Sequence, residues 1–241
     1  MEIRVLHLYY DLMNLYGEYA NVSVLERFLL QQGADVRIDR LSLYDEVDFS
    51  VYDFVYIGSA TERKQLIALE NIMKYKSQIK DAYQNGTAFL ATGNAFELFG
   101  KNIKTPSGET LDCLGLFDFC TEVNDKQRTL EDQVCDGIFS EIKAVGFINK
   151  ASEIFGIETP MFKVVSGCGN NKNEATEGIA VNNFYGTHLT GPLLVKNPDI
   201  AEFFVKLLCN KKGIEFSGID SENEKKAYKI TLNALMERFA R

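Results

Sequence analysis

The chain has 241 residues, 46% hydrophobic and 25% charged, an ordinary globular composition for one domain or one domain with a small appendage. Lys plus Arg number 26 and Asp plus Glu 34, and the formal net charge of −8 argues against general affinity for nucleic acid or an anionic membrane surface. The five cysteines are odd in number and irregularly spaced, with no CxxC pair, and only two histidines are present, so neither a disulfide framework nor a metal site is expected.

No run approaches the roughly 18–20 apolar residues of a membrane span, and the start, MEIRVLHLYYD, lacks a cationic segment followed by a long apolar one. A cytoplasmic protein with reduced thiols and no cofactor is the expectation. EIRVLHLY (2–9) reads as a first strand, carrying His7 at the core or a pocket edge. DLMNLYGEYAN then leads into an amphipathic helix with Val24, Leu25, Phe28 and Leu29 on its apolar stripe and Gly33 at its stop. ADVRIDRLSL and DFVYIGS are strands, and the spacing of Leu66, Leu69, Ile72, Met73, Ile79 and Tyr83 predicts a helix over 61–84. TAFLAT is a short apolar strand and NAFELFG a short helix.

This alternation predicts an α/β layer around a mainly parallel sheet. The short runs between 105 and 190 (LGLFDFCTEV, KAVGFI, FKVVSG, GIAVNNFYG) predict strands and hairpins wrapping back onto that same sheet. KNPDIAEFFVKLLC restores a helix, with Asn197 as its cap and Pro198 in its first turn. A last helix over 221–241 opens on an S-x-x-E capping pattern, Ser221 and Glu224, and carries apolar residues for packing on the body or a partner.

Ligands of open α/β sheets sit beyond the carboxyl ends of the strands. The loops after DFVYIG and TAFLAT therefore matter most. In the second, Ala91-Thr92-Gly93-Asn94-Ala95 has the form of a nucleophile elbow, a turn that exposes its central side chain beside a helix N-terminus. Its central residue is Gly93, which has no side chain. From these residues alone, an ordinary strand-to-helix turn relieved by glycine is the plainer reading.

A wider set of segments adds to this: LYYDLMNLYGEYANV, YIGSATERKQ, FLATGNAFELFGK, LGLFDF, GCGNN…TEG and YGTHLTGPLLVKNP, in that order. Together they resemble the class I glutamine amidotransferase domain of the cobyric acid synthase type, including its branch of amidotransferase subunits of lipid II isoglutaminyl synthases. The resemblance spans roughly residues 5–210. It implies a three-layer, flavodoxin-like α/β fold over 1–212 and a Mur-ligase-like synthetase as partner; the helical extension over 213–241 lies outside it. In that family an elbow cysteine attacks the glutamine amide, a histidine activates the thiol, and the ammonia released passes to the partner.

This chain departs from the pattern at the chemistry itself. The family elbow resembles F-L-A-I-C-G-G-Y-Q-L-L-G, which places Gly93 at the nucleophile, Asn94 and Ala95 at the following glycines, and Glu97 at the Gln. In the family's G-T-Y-L-H-G-P segment Thr190 stands at the base position and His188 at the Tyr. The G-G-G-Q-D/E-like loop is Gly58-Ser59-Ala60-Thr61-Glu62, and Arg128 aligns with an arginine that grips the substrate carboxylate in relatives, although the glycine usual downstream is Glu131. The resemblance thus implies substrate-binding roles for Gly58, Ser59, Asn94 and Arg128.

Gly93 offers no nucleophile and a threonine hydroxyl is no base near neutrality, so a pseudo-amidotransferase serving as partner or regulatory subunit in cell-wall amidation is the favoured reading. Two others stay open. In one, the enzyme is active through relocated residues: His188 as base, facing the same side as Thr190 if the segment is a strand, or Cys168 as a displaced nucleophile. In the other, the vacated pocket binds a glutamine-like small molecule. A structural histidine and an inert thiol are the plainer readings of His188 and Cys168. Asp11, Asn14 and Tyr16 match a family signature that could shape a partner surface, or form a solvated turn.

Overall fold

The computed structural model describes residues 1–137, 141 and 143–240. In chain order its strands and helices begin with β1 (Glu2–Leu8), α1 (Tyr19–Gln31), β2 (Asp35–Leu41), β3 (Phe54–Ile57), α2 (Glu62–Ile72), α3 (Lys76–Gln84) and β4 (Ala88–Thr92), followed by a 3-10 helix, Gly93–Phe99. The middle of the chain is β5 (Asn102–Lys104), β6 (Thr110–Asp112), β7 (Cys120–Val123), β8 (Thr129–Gly137), β9 (Lys143–Lys150), β10 (Ser152–Phe155), β11 (Phe162–Ser166) and β12 (Thr176–Glu177). The chain closes with β13 (Ile179–Val181), β14 (Phe184–Thr187), α4 (Leu193–Lys196), α5 (Pro198–Lys212) and α6 (Glu222–Phe239).

The central sheet has six strands in the order β13-β14-β4-β3-β1-β2. All neighbours are parallel except the edge pair β13–β14. β3 and β4 are buried along their whole length because both faces of the sheet are covered. Alternation sorts the side chains. Val5, Phe54, Tyr56 and Leu90 face a core closed by α1 and α5, while Leu6, Val55, Ile57 and Phe89 face one closed by α2, α3 and the 3-10 helix. The expected α/β architecture is thus present.

The middle of the chain departs from the sequence reading. Its strands do not wrap onto the central sheet but form two further four-stranded sheets, β10-β7-β5-β6 and β12-β11-β8-β9, and only β13 and β14 return to the centre. Each small sheet supplies apolar residues to a different core, Ile103 and Ile154 to one, Cys135, Ile148 and Phe162 to the other. The single helix expected over 61–84 is broken by a 3-10 turn at Met73–Tyr75.

Both expected capping patterns also take another form. Pro198 does open α5, but the Asn197 side chain is used elsewhere: it accepts from Val145 N (2.7 Å) and donates to the carbonyls of Val145 and Leu193. Ser221 makes no side-chain cap, and Glu224 pairs with Arg27 on α1. Helix α6 is held against the body at its polar face, by Tyr228 Oη to the Lys143 carbonyl (3.1 Å) and by Arg238 to Asp132, while Ile230, Met236 and Phe239 stay exposed. Among the described residues no helix is long and apolar enough to cross a membrane.

His7 is buried on β1 against the rings of Tyr10 and Tyr56, and its Nε2 has no hydrogen-bond partner among the described residues. Burial, helped by Arg40, lowers its pKa from 6.5 to about 4. The unfolded imidazole takes its proton near pH 6.5 and the folded one only near pH 4, so the native state loses stability as pH falls through that window. Urea unfolding at pH 7 and pH 5 is expected to give a lower midpoint at pH 5, and a His7→Leu chain should lose part of that difference.

Candidate functional site

Parallel pairing brings the two critical loops together. Thr92 at the end of β4 pairs with Thr187 at the end of β14, so residue 93 and residues 188–190 leave adjacent strands at the carboxyl edge of the sheet. One buried carboxylate ties them. Glu18, ahead of α1, accepts from Thr92 Oγ1 and from Tyr56 Oη (2.7 Å) through Oε2, and from the Gly191 N–H (3.4 Å) through Oε1. Asn21 completes the network by donating to Tyr56 Oη (2.7 Å) and accepting from Leu194 N (2.7 Å). Burial raises the Glu18 pKa, against the pull of these donors.

The elbow keeps its sharp turn, with Gly93 at φ +60° in the left-handed region. Its exposure, expected of such a turn, is not found: Gly93 is buried because Ser59 lies over it. A Cβ built on Gly93 would lie 2.3 Å from Ser59 Oγ, 2.4 Å from Ser59 Cβ and 3.2 Å from Ser59 Cα. Rotating the serine moves Oγ but not Cβ, so any side chain at 93 requires the backbone of the 58–62 loop to shift. Gly58 in turn is pressed against the Met13 carbonyl, 2.5 Å from where its own Cβ would stand. Asn94 fixes the loop in place, accepting from Ala60 N (2.9 Å) and donating to Ala60 O (3.0 Å).

Thr190 is buried and donates its hydroxyl to the Phe147 carbonyl (3.1 Å). β14 ends at Thr187, so strand alternation does not extend to 188–190, and His188 and Thr190 point to different partners. His188 Nε2 lies 2.9 Å from Glu97 Oε1, its Nδ1 lies 3.8 Å from Glu177 Oε1, and Phe96 packs edge-on against the ring. Glu97 also accepts from Ser152 Oγ (2.5 Å) and Gln65 Nε2 (2.7 Å). Glu177 accepts from the His188 N–H (2.7 Å) and Thr187 Oγ1 (2.5 Å). Burial pushes the imidazole below its ordinary pKa, against the opposing Glu97 bond.

Beside these residues a cavity of about 190 Å³ opens, its lining including Tyr16, Ser59, Glu62, Gln65, Asn94, Glu97, Arg128 and Ser152. Arg128 lies at its rim, bonded to Asn149 Oδ1 (2.7 Å) and ion-paired with Glu62, and Asn149 donates to Tyr16 Oη (2.6 Å). Three of the sequence candidates, Ser59, Asn94 and Arg128, therefore share this cavity, whereas Gly58, Gly93, His188 and Thr190 are not in its lining. Cys168 lines a neighbouring cavity, where burial pushes its thiol up to about 11. Asn14 accepts from Tyr19 N (2.8 Å) and Asp11 from Ser42, so the loop before α1 is internally braced.

A family model, the CobB/CobQ-like glutamine amidotransferase domain, matches residues 4–198. The chain belongs to this amidotransferase family. Among curated relatives it is 30% identical to the GatD subunit of lipid II isoglutaminyl synthase (glutamine-hydrolyzing) from Staphylococcus aureus, over 92% of this chain and 91% of the relative. It is also 30% identical to the GatD subunit from Streptococcus pneumoniae, over 88% of this chain and 82% of that one. Among solved structures, PurLQS from Thermotoga maritima superimposes with a TM-score of 0.60 at 14% identity, covering 88% of this chain and all (100%) of that one. The glutaminase domain of Trypanosoma brucei CTPS gives 0.55 at 8% identity, covering 89% and 95%. At these identities the likeness is one of fold.

On this amidotransferase scaffold the candidate residues meet in pairs. Ser59 fills the space above Gly93, and Glu97 meets His188. Sequence reasoning missed Glu18, Glu177, Ser152 and Asn149. Glu18 and Glu177 stand inside quoted segments, LYGEYANV and TEG, but nothing local marks a carboxylate as buried. Glu97→Leu would strand His188, Ser152 and Gln65 without their acceptor and is expected to cost roughly 3 kcal/mol, readable as a lower urea midpoint at pH 7.

Proposed function

We propose that the chain is a cytoplasmic amidotransferase-family subunit that has lost glutaminase activity, acting as partner or regulatory subunit of a Mur-ligase-like synthetase in amidation of lipid II or a related cell-wall precursor. The assignment as a subunit is supported by two relatives bearing that description and aligned over nearly the whole chain. The loss of chemistry is supported above all by Ser59 standing where a side chain at 93 would have to be.

Glutamine hydrolysis of this type needs a thiolate, a base within hydrogen-bond reach and donors for the oxyanion. Position 93 has neither a thiol nor room for one. Position 190 has a hydroxyl committed to a carbonyl. His188 is 2% exposed, outside the cavity lining, and its Nε2 is held by Glu97, which stands between the imidazole and the cavity. Cys168 has a thiol pKa near 11 and is poorly supplied with thiolate at neutral pH.

The purified chain, alone and together with its synthetase partner, is expected to release no ammonia from glutamine above background. Release abolished by alkylating Cys168 would overturn the proposal. Gly93→Cys alone is expected to destabilise the fold by about 2 kcal/mol, from overpacking against Ser59. The double change Ser59→Gly, Gly93→Cys should recover stability and make residue 93 the preferred site of thiol alkylation. Equal stability of the single and double variants would remove the steric argument.

A further inference from the structure

We infer that the cavity beside the elbow selects a free α,ω-diamino acid, with a short side chain ending in an ammonium, over glutamine or glutamate. The inference deepens the reading of a subunit that no longer turns glutamine over, since it assigns the same pocket a ligand. Its basis is the distribution of donors and acceptors between rim and floor.

At the rim, its bonds to Asn149 and Glu62 leave the Arg128 guanidinium with N–H groups to spare, and the Glu62 carboxylate stands beside it. Such a pair matches the carboxylate and ammonium of an amino acid's α-carbon. Both side chains are nearly half exposed (45% and 44%), so the zwitterion end lies outermost.

The floor is different. Ser59, Gln65, Glu97 and Ser152 line it at 5%, 2%, 1% and 7% exposure. Both hydrogens of Gln65 Nε2 are spent, on the Asn94 carbonyl (2.8 Å) and Glu97 Oε2 (2.7 Å). A flipped amide would set its oxygen against those two acceptors, so Gln65 Oε1 is left as a free acceptor. The Ser152 hydroxyl gives its hydrogen to Glu97 Oε1 (2.5 Å). Lys150 also lines the cavity, but its ammonium is turned to the carbonyls of Gly169 (2.7 Å) and Asn170 (2.8 Å), outside this lining. Glu97 Oε1 is already taken by Ser152 and by His188 Nε2 (2.9 Å), and Oε2 by Gln65, so the floor offers an incoming group the Glu97 charge with one remaining lone pair on Oε2, Gln65 Oε1, and the Ser59 hydroxyl, which accepts and donates.

An ammonium brings three donors and a positive charge to that set. A glutamine amide satisfies the same groups, its carbonyl oxygen accepting from the Ser59 hydroxyl, but brings no charge to set against the Glu97 carboxylate, and a glutamate carboxylate brings no donor and a like charge. The volume of about 190 Å³ is below the roughly 300 Å³ of sites for larger ligands and suits one amino acid.

Titration calorimetry of the full chain with L-ornithine, L-lysine, L-glutamine and L-glutamate tests this. Ornithine or lysine is expected to bind about tenfold more tightly than glutamine, with glutamate weakest. Glu97→Gln should erase that preference, and Arg128→Gln, at the exposed rim, should weaken every ligand while leaving the melting temperature unchanged. Glutamine or glutamate binding as tightly as both diamino acids, or no binding of any of the four at millimolar concentration, would overturn the inference. If Glu97→Gln does not fold, the wild-type ranking and Arg128→Gln decide. A parallel assay of ammonia release keeps the two readings separate: hydrolysis would sink the loss of activity and leave the ranking to stand or fall by itself.

Discussion

The site depends on a single buried carboxylate. Glu18 comes from the start of α1, yet its partners are on β3, at the end of β4 and in the loop after β14. A carboxylate removed from water must be compensated by donors, and here the donors belong to the segments whose relative placement defines the site. Tyr56 and Asn21 extend the compensation, so helix, sheet and loop are joined by one polar network inside an otherwise apolar layer.

Around that anchor, the candidate residues meet in pairs. Gly93 and Ser59 share one volume, and Glu97 and His188 share one hydrogen bond. Close packing couples such neighbours: an interior without spare space transmits a change at one residue to the next. The fold around them rests on two apolar cores, one on each face of the central sheet.

Much of this was legible in the sequence. The strands β1, β3 and β4 and the helices α1 and α5 follow from periodicity and glycine placement, whereas the elbow at 93 was carried by the family resemblance. The two small sheets were not legible, because short strands such as Asn102–Lys104 and Thr110–Asp112 carry too few residues to declare which partner they pair with. The cavity was legible in part. Ser59, Asn94 and Arg128 could be named by resemblance, but that Ser59 covers Gly93, or that Glu97 reaches His188, depends on contacts between distant loops that no local pattern encodes. The same holds for Asn197, whose expected role as a helix cap yields to a clamp on Val145 across the fold.

The serine above Gly93 also links two positions 34 residues apart in sequence. With the 58–62 loop where it stands, a side chain at 93 and a serine at 59 exclude each other. Installing a thiol at the elbow therefore takes two coordinated changes, or a displacement of the loop.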